Sequence, residues 1–144
     1  TMKKILATML LLVPLAISGA DTNTEAIEAR QAAYKSIKES MAEIKDAMTS
    51  EDYTAAAASA RKVLDNATAV TKLFPAGSYE GDTRAKEKIW ENLEDFTQRQ
   101  QKLIADAETL LSATSSKDTK QLKVAFKQTS KNCTGCHRKY RQLL

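Results

Sequence analysis

Cysteine, histidine, glycine and proline are all scarce in this chain of 144 residues, which has two, one, four and two of them respectively. Two thiols exclude the disulfide framework that staples many small exported domains. With so few turn formers in a chain rich in Ala, Lys, Glu, Gln and Leu, no segment reads as a strand, and the composition is that of an all-α protein. An excess of one charge is missing as well. The formal net charge is +4, but Lys3 and Lys4 lie at the extreme amino end, and beyond them twenty basic side chains face eighteen acidic ones. The Lys and Arg residues are read as spread among Glu and Asp rather than clustered, which gives nucleic-acid binding little support. The one long apolar run, Ile5 to Ile17, follows Lys3 and Lys4 and precedes Ser18 and Ala20, the pattern of a secretory leader over residues 1–20 cleaved near Ala20. It is short for a membrane span and no second run follows, so no membrane insertion is expected after processing; an uncleaved anchor is the alternative. Residues 21–144 are then expected to form one domain.

The scarce residues meet in one place. Cys133-Thr134-Gly135-Cys136-His137 uses both cysteines and the only histidine. This spacing reads as covalent haem attachment, with two thiols adding to the two vinyl groups of one haem while the adjacent imidazole reaches the iron. On a helix, positions 133, 136, 137 and 140 share a face. His137 is the expected axial ligand, through its neutral ring nitrogen, and the expected metal ligand of the chain. A redox dithiol and a structural zinc site are the other uses of C-x-x-C. The first normally sits at a strand-to-helix turn, and the second needs a fourth Cys or His.

Periodicity and start signals divide the rest into four helices. The first is expected from about Thr22 to Met48, with Thr22 and Glu25 as a capping box and an inward stripe of Ile27, Tyr34, Ile37, Met41, Ile44 and Met48. The second is expected from about Glu51 to Phe74, with Tyr53, Ala57, Ala60, Leu64, Ala67 and Phe74 inward. Residues 75–82 hold proline and glycine together and break the chain. The third is expected from about Thr83 to Leu111, capped by Asp82, with Ile89, Leu93, Phe96, Leu103, Ala107 and Leu110 inward. The fourth is expected from Lys117 to about Leu143. Long helices with short connections favour an antiparallel four-helix bundle. Arg30 interrupts the first apolar stripe, which is costly unless its charge finds a partner. A haem propionate would supply one in bidentate geometry, with Gln31 adding a second hydrogen bond, and solvated surface positions are the alternative. Arg138 and Lys139 read as solvated, Trp90 and Phe96 as core.

Four blocks, in order, carry a family resemblance: Arg30-Gln31-Ala32-Ala33-Tyr34; Leu73 to Ser78; Thr83-Arg84-Ala85 with Ile89-Trp90; and the C-x-x-C-H-x-x-Y-R ending from Cys133 to Arg141. Together they resemble the cytochromes c′ of the class II c-type group. The resemblance implies a left-handed four-helix bundle in the periplasm, one haem c bound through Cys133 and Cys136, and a homodimer packed through the first two helices. It also implies that Tyr34 lies over the distal face of the haem. In that group a methionine at this position makes a six-coordinate, low-spin electron carrier, while a bulky non-ligating side chain leaves the sixth site open. Tyrosine therefore implies a five-coordinate haem that takes small gases, nitric oxide and carbon monoxide, with electron transfer to an unidentified redox partner as a secondary task. Arg141 would be the proximal-pocket arginine, also readable as a cation at a helix C-terminus. The rival from the carrier class is a low-spin His/Met cytochrome in which Met41 reaches the iron. No distal acid or base is visible to assist O–O cleavage, so the chain is read as non-catalytic.

Overall fold

A computed structural model describes residues 19–143, and the expected leader lies almost wholly outside them. The order is α1 (Gly19–Ser50), α2 (Tyr53–Ala69), a 3-10 turn (Val70–Lys72), α3 (Lys88–Glu91), α4 (Leu93–Ser115) and α5 (Thr119–Tyr140). The four long helices form the expected antiparallel bundle, and no strand occurs among the described residues. Packing runs in chain order, α1 on α2, α2 on α4 and α4 on α5, whereas α1 and α5 meet in few places. That thin seam is where the site lies.

Two tight connections use one device. Glu51 and Lys117 adopt left-handed backbone, with φ of 55° and 52°. The next residue in each case is an aspartate that caps the following helix: Asp52 Oδ1 accepts the Ala55 N–H at 2.9 Å, and Asp118 Oδ1 accepts that of Lys120 at 2.8 Å. A left-handed residue ends one helix and a carboxylate satisfies the orphan donors of the next. The second helix accordingly starts after Asp52.

The apolar stripes mostly fall as expected. Ile27, Ile37, Ile44 and Met48 of α1 are buried, as are Ala56, Ala60, Val63 and Ala67 of α2, and small residues there let α1 approach closely. Ala56 takes the inward place expected for Ala57. Three expectations fail around residues 74–93. Phe74 lies beyond the helix and its 3-10 extension, and Asp82 caps nothing, because residues 83–87 are not helical. The third helix is broken at Asn92, whose φ of −133° and ψ of 46° leave the helical region, and Leu93 is turned out to 48% exposure. The cause is the company this segment keeps. The Lys86 N–H donates to Tyr140 O at 3.0 Å, and that of Gln142 to Arg84 O at 2.8 Å, so residues 84–86 pair as extended chain with the C-terminal tail and cannot coil. The same pairing ends α5 at Tyr140 instead of Leu143.

Leu110 is completely buried at the α4 face. Leu110→Ala is expected to lower the unfolding free energy by about 2–5 kcal/mol, and Asp118→Ala by about 1 kcal/mol. Urea denaturation followed by circular dichroism checks both.

Candidate haem site

The cysteine-histidine motif occupies the last two turns of α5, with Cys133 and Cys136 half-buried. A cavity of about 610 Å³ lies against them, walled by α1, α4, α5 and residues 74–89. This is the size range of cofactor pockets. Arg30, Gln31, Tyr34, Cys133, Cys136, His137 and Arg141, all chosen from the sequence, line this one cavity, and so does Met41. Tyr34 and Met41 are the stripe residues of α1 left only partly buried, because each packs against the core on one side and faces the cavity on the other.

The floor is aromatic. Phe74 and Phe96 meet edge-on with centroids 4.7 Å apart, and Phe96 and Tyr140 likewise at 5.2 Å. Trp90 joins them and donates its indole N–H to Pro75 O at 3.0 Å. Two neutral thiols, an imidazole and an apolar, aromatic floor are the donor set and lining that a covalently bound haem requires. The residues present therefore fit that group: Cys133 and Cys136 would hold it and His137 would ligate it.

Arg30 finds neutral oxygen partners within the protein. It is only 3% exposed, and its guanidinium donates to Ser78 Oγ at 2.7 Å, Ser78 O at 2.5 Å, Thr83 Oγ1 at 2.8 Å and Leu73 O at 3.2 Å. Its carbon lies 4.7 Å from the Phe74 ring centroid, a cation–π contact. Burial nonetheless pulls its pKa below the usual guanidinium value. Gln31 Nε2 donates to Asp82 O at 2.7 Å. The pair that reads as a haem signature thus also staples the loop to α1.

Burial pushes the Tyr34 phenol far above its ordinary range, so it stays protonated at any physiological pH. His137 is held below the ordinary imidazole value, by burial first and then by the nearby Arg141 and Arg84 cations. Its neutral, ligating form is favoured. Arg141 reaches the site by a route other than the one expected. It is not one turn further along α5 but just beyond the helix, extended at φ −111° and ψ 136°.

Sequence reasoning missed a second group beneath Cys136. Asp95 accepts from Tyr140 Oη at 2.5 Å, Arg99 Nε at 2.8 Å and Lys139 Nζ at 2.9 Å. Lys139 is therefore paired rather than solvated. These donors, Arg99 foremost, hold the Asp95 carboxyl well below the usual carboxylate range. The i,i+4 spacing of Asp95 and Arg99 was a visible signal; their union with Tyr140 was not. Gln100, which also lines the cavity, falls at inward spacing between Phe96 and Leu103.

A helical bundle with a thiol-thiol-imidazole wall beside an apolar pocket defines the class of covalent haem c proteins built on four helices. The comparisons agree. The model of the family Cytochrome C' matches residues 25–141. A cytochrome c-556 of Agrobacterium tumefaciens (strain II Chrys) is 33% identical over 118 residues, covering 80% of this chain and 95% of that protein. The crystal structure of cytochrome c′ from Thermochromatium tepidum superposes with a TM-score of 0.79 at 30% identity, covering 84% of this chain and 97% of that one. Cytochrome c prime from Shewanella frigidimarina gives 0.79 at 31%, with the same coverage. The chain belongs to the Cytochrome C' family, and its cofactor is haem c.

A carboxylate with a depressed folded pKa stabilises above its unfolded value of about 3.9 and loses that contribution as pH falls through the folded value. Asp95→Asn is therefore expected to melt lower than the parent at pH 7, and the gap to close as the pH drops below about 4. Thermal melts of the two proteins from pH 7 to pH 2 provide the check.

Proposed function

We propose that this protein is a periplasmic, non-catalytic haem protein whose five-coordinate iron binds small gases, nitric oxide and carbon monoxide. The observation that carries this reading is Tyr34. α1 brings its phenol into the cavity that α5 supplies with Cys133, Cys136 and His137. Burial keeps that phenol neutral, and a neutral phenol is a poor iron ligand. A bulky, non-ligating side chain there admits a diatomic molecule and excludes larger ones. The bound haem supplies an iron with an open position for such a ligand. On the other side, His137 stands near two fixed cations, Arg141 and Arg84, which disfavour any further positive charge on the imidazole.

The electron-carrier reading keeps one observation in its favour: Met41 also lines the cavity. It sits two helical turns from Tyr34, about 10 Å along the axis, and packs against the bundle core. We place it in the wall rather than on the iron.

Dimerisation through α1 and α2 has support from the exposed Ala55 and Ala58 on α2, small residues that suit close helix approach. A cytochrome c′ described by an unusual ligand-controlled dimer dissociation is 28% identical to this chain with a TM-score of 0.79. Export rests on the leader-like pattern of residues 1–20.

Substitution at position 34 separates the two readings. Tyr34→Ala should raise carbon monoxide affinity at least about tenfold by removing the side chain that crowds the ligand, about 1.4 kcal/mol. Met41→Ala should leave the resting visible spectrum unchanged. A spectrum that turns from low-spin to high-spin in Met41→Ala would instead establish the electron carrier.

A further inference from the structure

The charges of this nearly balanced chain are segregated on the folded surface. α5 carries Lys120, Lys123, Lys127, Lys131, Arg138 and Lys139 and not one acidic residue, so all eighteen acids lie elsewhere. At about 100° per residue, Lys120, Lys123, Lys127, Lys131, Thr134 and Arg138 fall within an arc of about 80°. The five cations of that stripe are exposed and form no ion pair among the described residues; Lys139, off the stripe, is the member of the six that does. The buried residues of α5, Leu122, Ala125, Thr129 and Tyr140, lie on the opposite side, with Cys136 among them.

The stripe is about 27 Å long at 1.5 Å per residue. Its carboxyl end dips into a shallow hollow of about 400 Å³ between Lys127, Lys131, Thr134, Gly135 and Arg138, on the outer surface of the haem-attaching turn. Val124, 71% exposed, adds an apolar contact beside it. A row of unpaired cations is unfavourable by self-repulsion, and no ion pair among the described residues relieves it.

We propose that the outer face of α5 is a docking surface for an acidic electron-carrying protein. A partner seated there lies one helix diameter, about 10–12 Å, from the inner face that bears the thiols. The stripe would steer its approach and set its orientation, with Val124 and the hollow forming a small contact of the kind used in transient redox encounters. The proposal rests on the haem-bearing reading of Cys133, Cys136 and His137 but not on the gas-binding one. In the encounter the partner gives up one electron and the ferric protein becomes ferrous, with no atom exchanged.

The test uses the full holoprotein and, as probe, a plant-type [2Fe–2S] ferredoxin with an acidic surface. Amide NMR shifts on adding oxidised probe should concentrate between residues 120 and 138. The rate of reduction by reduced probe should fall about tenfold or more at low salt in a variant combining Lys123→Glu, Lys127→Glu and Lys131→Glu. A matched variant away from α5 and from the cavity, combining Lys45→Glu, Arg61→Glu and Lys72→Glu, should lose much less. Equal losses in both variants, or shifts spread over the surface, would overturn the proposal, since the effect would then follow net charge alone. Binding to vesicles of phosphatidylglycerol and phosphatidylcholine that the α5 variant abolishes, with its probe kinetics unchanged, would overturn it in favour of a lipid surface. Carbon monoxide spectra keep the outcomes apart: failure of the unsubstituted protein to bind the gas would count against the open-site reading and leave docking to the salt and charge dependence, and retained parent-like spectra in both variants show that their haem sites are intact.

Discussion

A guanidinium buried without a carboxylate beside it organises the open end of this bundle. Arg30 gives its charge to oxygens of Leu73, Ser78 and Thr83, and its flat face lies against Phe74. Such burial is tolerable only when donors are met, since an unpaired charge in the interior costs several kcal/mol. What Arg30 fixes in turn is the path of residues 73–83. That path delivers Arg84 to Ala85 against the tail after Tyr140, and this pairing ends α5 and brings the Arg84 and Arg141 cations close to His137. A residue on the first helix thereby shapes the surroundings of His137 on the last.

The bundle itself follows from simpler rules. Small residues on α2 bring α1 close, and Leu110 and Leu122 close the core on the far side. α1 and α5 stay apart at one end because aromatic rings and a cavity stand between them. Where packing stops being complete, the side chains change from aliphatic to Tyr34, Met41 and the Phe74–Phe96–Tyr140 stack, and the chemistry begins. Tyr140 links the two regimes: it is buried in the stack while its hydroxyl donates to Asp95, which also receives Arg99 and Lys139. α4 and α5 are thereby joined directly under the thiol of Cys136.

The four-helix plan and the haem motif were legible in the sequence because each depends on local spacing, a period of 3.6 or a C-x-x-C-H run, while Tyr34 and Arg141 were marked as site residues by the family resemblance. The failures share a cause of the opposite kind. Thr83 to Glu87 has nothing in its own composition to forbid a helix, and its extended shape comes from Arg30, more than fifty residues earlier, and from the tail, more than fifty residues later. The same is true of Arg141, taken as one more turn of α5 until the tail pairing is seen. Glu51 and Lys117 turn the chain in left-handed conformations with no glycine to announce them. The basic stripe of α5 was present in the sequence as a stretch of twenty-six residues without an acid, 119–144, hidden by the near-neutral total.

Whether the iron keeps an open position under Tyr34 is the central question for this protein. The most direct measurement is the visible absorption spectrum of the ferrous holoprotein, matured with its haem, before and after nitric oxide is added. A broad high-spin Soret band without a sharp α band at rest, shifting when the gas binds, is the expected result. A sharp α band in the resting ferrous protein would contradict it and assign the sixth position to a side chain.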